Sequence, residues 1–466
     1  MESDCGGEEF IGYNEWATES LHVHIATDFV YETEDDPSAT NRGVFIAEDV
    51  IPHTEVFRIP LDSVLSVKSL HNIPALQSLA FFQQRTPEHE DDQLALALLY
   101  EKYIQCGQSK WAKHIELLPR TYYNALYFEP EVLQALKGSN LYYMALHLKD
   151  HVAAEYARLK QSVLIELFEK CGEEINVDLF HEYFSLENYK WALSTIWSRF
   201  VTLRLTNVLQ FNIGEVISNR NKNQSIKAMV PVFDMLNHDP EAEMTHFFDR
   251  DSQEFKLVSR QHWHAGTQLF INYGPLSNHK LLSLYGFVIL SNPFDTVEIW
   301  LPMNAASTKF FEVKQKLFFV NDMDHETYAY ELVADEFNYS LLCAARIQEI
   351  DCETLKEFKS LAHKAIQGEK LSLKNEQEAL TRLIYTFESL LKAYPTEIEE
   401  DDAFLKSWDE QEEDCRQHHV YMATVVRRSD KFILLENIRM LKWRLLEILQ
   451  PNQSPSDDLN ASSSNH

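Results

Sequence analysis

Asn237 and His238 end the run "MVPVFDMLNHDP" (229 to 240), whose apolar part is broken only by Asp234. An amide offers both donors and an acceptor, and a neutral imidazole one of each, so such a pair at a strand end can address a polar ligand. A lone Asn-His before Asp-Pro reads equally well as a turn. Tyr273 closes the alternating stretch "GTQLFINY" (266 to 273), which sets Leu269, Ile271 and Tyr273 on one face, and Gly274 behind it lets the backbone turn sharply. A second phenol follows at Tyr285, in "YGFV", and residue types alone leave open which of the two does chemistry. Arg199, in "WSRF", carries a planar fork suited to a carboxylate or to a surface ion pair. Asp234, polar within an apolar strand, needs either a hydrogen-bonding partner or a channel to face. His262 and His264 would share a strand face, with His246 nearby in sequence. Zinc can use that spacing, yet no cysteine or carboxylate completes an evident set, and no metal is expected.

These residues need elements to hold them. Residues 41 to 60, "NRGVFIAEDVIPHTEVFRIP", mix β-branched and aromatic side chains around Gly43 and Pro52 and predict two short strands. From 62 to 190 helices are expected, with Leu94, Leu98 and Leu99 on one face behind an acidic first turn. Strands are expected again at 228 to 236, 254 to 259, 266 to 273 and 297 to 301. Beyond 305, helices dominate: Leu380, Leu383, Ile384, Phe387, Leu390, Leu391 and Tyr394 keep a helical spacing until Pro395 stops it. Between Glu397 and Asp414 lie ten acidic residues and one lysine, expected as an exposed loop or helix face. The last residues, "PNQSPSDDLNASSSNH", cannot form a core and are expected to be disordered.

Composition removes several function classes. With 466 residues, 45% hydrophobic and 12% aromatic, the chain can bury a large core. Lys and Arg number 42 against 72 Asp and Glu, a net charge of −30, which opposes direct nucleic-acid binding and suits either solubility or a basic partner. None of the twelve glycines forms a dinucleotide or P-loop cradle, so a nucleotide-like cofactor would have to bind another way. The six cysteines form no C-x-x-C pair, and reduced thiols are expected. No signal peptide or membrane span is read in the sequence, which predicts a soluble protein of cytoplasm or nucleus, leaning to the nucleus.

Three segments taken together, "WALSTIWSRF" (191 to 200), "VPVFDMLNHD" (230 to 239) and "LFINYGPLSNHKLLSLYGFV" (269 to 288), carry a resemblance to a known family. The chain resembles the SET-domain lysine methyltransferases typified by the plastid Rubisco large-subunit enzyme, which include fungal enzymes acting on ribosomal proteins. The resemblance begins at "RGVF", includes "SKWAKHIELLP" (109 to 119) and extends to "ATVVRRSDKFIL" (423 to 434). It implies an α+β fold: a β-rich knotted SET domain with a helical insert, then an all-α C-terminal substrate-binding lobe. The expected segments are 1–61 and 191–304 for the SET domain, 62–190 for the insert, 305–450 for the lobe and 451–466 for the tail.

The resemblance further implies S-adenosyl-L-methionine as cofactor. It makes Tyr273 the catalytic tyrosine and Tyr285 a wall of the substrate channel. Arg42, Gly43, Val44, Arg199, Asn237, His238, Tyr273 and Phe287 become cofactor-binding residues, with Phe287 offering its ring to the adenine, and Asp234 joins Tyr285 in lining the channel. A lysine of ordinary pKa is only about 0.04% neutral at pH 7, a handicap of roughly 4 to 5 kcal/mol that a dry aromatic channel would reduce. The expected partner is a lysine-rich protein, a large-subunit ribosomal protein being the first choice, met by a monomer. The chain lacks the cysteine-rich zinc segment that many histone-directed SET enzymes carry after this tyrosine. Two alternatives keep the fold: a histidine-directed methyltransferase resembling the actin-directed enzymes, and a catalytically silent scaffold.

Overall fold

The structure, a computed structural model, describes residues 12–33, 42–84, 87–171, 175–204, 225–321, 329–408 and 415–450. The expected disordered tail lies outside the described residues, as does most of the long connection before Ser225. The chain forms two compact units: Met1–Tyr127, Leu146–Leu276 and Lys280–Gly286 make the first, and Phe128–Ala145, Ser277–His279 and Phe287–His466 the second. Among the described residues no helix is long and apolar enough to cross a membrane.

The first unit is built on short strands. In chain order they are β1 (His24–Ile25), β2 (Phe29–Thr33), β3 (Arg42–Ile46), β4 (Glu55–Pro60), β5 (Leu65–Ser66), β6 (Phe200–Arg204), β7 (Ser225–Met229), β8 (Asn237–His238), β9 (Met244–Asp249), β10 (Glu254–Ser259) and β11 (Phe270–Ile271). They form an antiparallel sheet in the order β1-β4-β10-β9, a three-stranded sheet β5-β7-β6 and the pair β2-β3. β8 and β11 run parallel, with Asn237 opposite Phe270 and His238 opposite Ile271. A parallel pair needs a long crossover, and here the β9-β10 hairpin lies within it.

The expected helices fill residues 62 to 190 between β5 and β6. The helix Glu90–Tyr100 has its acidic first turn, but Asp92 through Tyr100 are all buried, so it is enclosed rather than amphipathic. The helix Leu186–Arg199 is capped by Ser185, whose hydroxyl accepts from the Asn188 amide, and runs directly into β6.

The continuous strand expected over 228 to 236 is not formed. β7 stops at Met229, and a turn of 3-10 helix follows at Phe233–Met235. A strand would point successive side chains to opposite faces, whereas Phe233 and Asp234 are both buried. The chain solves this at Val232, which takes a φ of 71°, a conformation costly for a β-branched residue. Phe233 then packs edge-on against Phe255, ring centroids 4.7 Å apart.

The second unit pairs β12 (Val297–Ile299) with β13 (Tyr330–Leu332), and its other regular elements among the described residues are helices. In the helix Leu373–Leu391, Leu380, Leu383, Ile384 and Phe387 are buried as the periodicity predicts. The acidic run departs from expectation at one residue. Asp401, in the helix Ile398–Lys406, is fully buried and paired with Arg427 and Lys431.

Candidate active site

The site of the first unit is a set of bonds joining the 236–240 and 268–274 segments. Beyond the β8-β11 pair, the Asp239 amide donates to the Ile271 carbonyl at 3.1 Å, and Asn272 Nδ2 donates to the Pro240 carbonyl at 2.8 Å. Asn272 Oδ1 also accepts from the Gly274 amide at 2.7 Å, closing the tight turn in which Gly274 has a φ of 115°. Sequence reasoning passed over Asn272, although an Asn two residues before a glycine is a recognisable turn signal.

Tyr273 leaves this turn pointing back across the 236–240 segment. Its hydroxyl donates to the Leu236 carbonyl at 2.8 Å, and its amide donates to His238 Nδ1 at 3.1 Å. With Nδ1 accepting, the neutral His238 ring carries its proton on Nε2. Burial holds the His238 pKa below its ordinary value, which favours that neutral form. Burial likewise pushes the Tyr273 phenol well above its ordinary pKa, with Arg199 opposing the rise, so the hydroxyl keeps its proton at neutral pH. Such a tyrosine can orient and hydrogen-bond a reactant, but it is not a base.

Tyr273 is sandwiched. His238 stacks on it at 4.9 Å between ring centroids, and Tyr285 at 4.8 Å, with interplanar angles of 21° and 24°. Tyr285 arrives on the turn Leu281–Tyr285, which ends at Gly286 with a φ of 82°. A Cβ at Gly286 would lie 2.9 Å from the Asn124 backbone nitrogen, so the "YG" pair is a packing requirement as well as a turn. The structure thus brings Asn237, His238, Tyr273 and Tyr285 together.

Asn237 is held by a residue that sequence reasoning missed. Its Nδ2 donates to Gln268 Oε1 at 2.9 Å. Gln268 lies beside Gly43, where an added Cβ would come within 2.7 Å of Gln268 Nε2 and of the Phe45 ring. Gly43 and Val44 are both buried in β3, and the Val44 carbonyl accepts from the Leu269 amide at 2.7 Å. The "RGVF" glycine therefore makes room for the glutamine that sets the asparagine. Arg42's side chain lies outside the described residues. Phe287 is half-buried in the second unit, and an adenine role for it rests on the resemblance alone.

Arg199 and Asp234 meet each other. Arg199, the last residue of its helix, donates from Nη1 to the Asp234 carbonyl at 2.6 Å and to Oδ1 at 3.3 Å. Asp234 Oδ2 faces His114 Nε2 at 3.2 Å, and the Tyr13 hydroxyl reaches His114 Nδ1 at 2.8 Å. One neutral tautomer, protonated on Nε2, satisfies both contacts of His114. The Asp234 side chain has no exposed surface. Of the two readings open in the sequence, this geometry supplies hydrogen-bonding partners and departs from the expected lining of a channel. His114 lies within the "SKWAKHIELLP" stretch that carries the resemblance, but nothing in its sequence neighbourhood pairs it with Asp234.

Residues 305–434 match the family model described as Rubisco LSMT substrate-binding. The structure superposes on that of the SET domain of LSMT bound to lysine and AdoHcy with a TM-score of 0.74, covering 98% of this chain and 97% of that one at 19% identity. This chain has the fold of the SET domain of LSMT. Among curated relatives, it is 31% identical to the ribosomal lysine N-methyltransferase set10 of Schizosaccharomyces pombe, over 59% of this chain and 45% of that protein. It is 26% identical to the chloroplastic [fructose-bisphosphate aldolase]-lysine N-methyltransferase of Arabidopsis thaliana, over 76% of this chain and 69% of that protein. It is also 24% identical to the actin-histidine N-methyltransferase of Gallus gallus, over 74% of this chain and 55% of that protein. The chain thus spans about half the length of two of these three relatives.

The residues present fit a zwitterionic sulfonium cofactor. Arg199 Nε is a buried donor with no partner among the described residues, and a carboxylate acceptor would satisfy it. Asn237, fixed by Gln268, adds an amide at the strand end.

Proposed function

We propose that this chain is an S-adenosylmethionine-dependent protein-lysine N-methyltransferase, with a lysine of a large-subunit ribosomal protein as its substrate. The observation that carries the reading is the junction of Asn237-His238 with Tyr273, whose hydroxyl is tied to the Leu236 carbonyl and whose ring is stacked on Tyr285. When bound, the cofactor supplies an electrophilic methyl group. This chain's part is to hold Asn237 and Arg199 for the cofactor's polar end and to place Tyr273 and Tyr285 as an aromatic wall for an alkyl amine. A wall of this kind favours the neutral amine by desolvation, and a protonated Tyr273 directs rather than removes a proton. A net charge of −30 suits a lysine-rich partner. The ribosomal choice draws on the likeness to set10.

The likeness to an actin-histidine enzyme supports a second reading, with an imidazole as nucleophile. Incubating the purified protein with labelled cofactor and a ribosomal extract should label a ribosomal protein, with the methyl group found on lysine by mass spectrometry. Label confined to histones would contradict the substrate, and a methyl on histidine would establish the second reading instead.

A further inference from the structure

Away from the Tyr273 site, the His262 and His264 pair gains the carboxylate that its own neighbourhood in the sequence lacks. Asp49 stands in the turn after β3, and Val50 beside it forms an isolated antiparallel bridge with Trp263, each amide donating to the other's carbonyl at 2.9 Å. Trp263 is buried, so His262 and His264 on either side of it project outward together. The Ala265 amide donates to Asp49 Oδ1 at 2.8 Å, fixing the carboxylate. Its other oxygen lies 3.5 Å from His262 Nε2 and 3.8 Å from His264 Nδ1, and the two rings stand nearly perpendicular, 4.4 Å apart.

These separations are long for hydrogen bonds, whose range ends near ~3.2 Å. They are close to another spacing: two ligands each about 2.0 to 2.1 Å from a tetrahedral zinc lie roughly 3.4 Å apart. One donor atom from each of the three residues lies within 4.8 Å of the others, and all three side chains are exposed, so an ion has an open path. We propose that Asp49, His262 and His264 form a surface site for a divalent transition metal, zinc being the reference ion, with water completing the coordination. Two imidazoles with one carboxylate suit zinc, nickel or copper better than calcium or magnesium, which prefer oxygen sets. An ion there ties the turn after β3 to the segment that leads through Gln268 to Tyr273. The absence of metal expected from the sequence rested on a missing carboxylate, and Asp49 comes from a distant part of the chain.

The test uses the full-length chain, free of any histidine tag and stripped with EDTA, titrated with zinc chloride by calorimetry and followed by native mass spectrometry. One ion per chain should bind in the wild type, and His264→Ala and Asp49→Asn should each weaken it at least tenfold. His262→Ala combined with His264→Ala should abolish it. No saturable binding, or binding unchanged in these variants, overturns the proposal. The site is separate from the methyl-transfer reading, which either result leaves standing.

Discussion

At the residue scale the account turns on one hydroxyl. The Tyr273 phenol stays protonated, donates to the Leu236 carbonyl, and lies between His238 and Tyr285. Tyr273→Phe keeps the stacked ring and removes only the oxygen. Turnover should fall about 100-fold or more, as for loss of one oriented donor, while cofactor affinity measured by calorimetry stays unchanged. A full-rate Tyr273→Phe beside an inactive Tyr285→Phe would exchange their roles. Gln268 tests the support of Asn237. Gln268→Ala removes a hydrogen bond worth about 1 kcal/mol, so cofactor binding should weaken roughly fivefold with turnover at saturation little changed. An unchanged dissociation constant would show that Asn237 keeps its orientation without the glutamine.

At the element scale the decisive feature is the turn Phe233–Met235, which replaces the end of an expected strand. It is held by the buried Asp234, shared between Arg199 and His114. Asp234→Ala would leave the Arg199 guanidinium without its buried counter-charge. The cost should be about 3 to 5 kcal/mol, read as a lowered denaturation midpoint of the whole chain. A change below about 1 kcal/mol would mean that the pair behaves as a surface ion pair. Asn237, His238, Tyr273 and Tyr285 were legible in the sequence because each sits at a local signal: a polar stop, the end of an alternating strand, a Tyr-Gly step. The 3-10 turn was not, since an apolar run shows no period that separates a strand from a buried irregular segment. His114, Gln268 and Tyr13 were missed for another reason. Their roles come from long-range pairing, which composition and spacing do not encode; Asp49 beside His262 and His264 is the same case on the surface.

At the scale of the whole molecule, the two units carry histidines whose pKa values are shifted in opposite directions. In the first, desolvation depresses the pKa of the half-buried His238 and of His246, an exposed residue whose ring nevertheless packs against Phe233 and Phe255, so their neutral forms support the fold, and that stability is lost as pH falls through the ordinary histidine value of about 6.5. In the second, burial opposes the charge of His279, but Asp430 at 2.8 Å outweighs it and raises the pKa. That contribution is complete below the ordinary value and is lost as pH rises through the raised one. Hydrogen-exchange protection should therefore weaken on acidification around residues 237 to 246, and on going to alkaline pH around 277 to 279 and 428 to 432. The same direction of change in both places would contradict the assignment. The central claim is that Tyr273 and Asn237 serve methyl transfer to a protein lysine, and one measurement tests it most directly. The purified chain and its Tyr273→Phe variant are given labelled S-adenosylmethionine and a ribosomal protein extract, and the label is located by mass spectrometry. The account predicts lysine methylation by the wild type and almost none by the variant, with both proteins still binding cofactor. A wild type that binds no cofactor, or that transfers no methyl group to lysine, would contradict it.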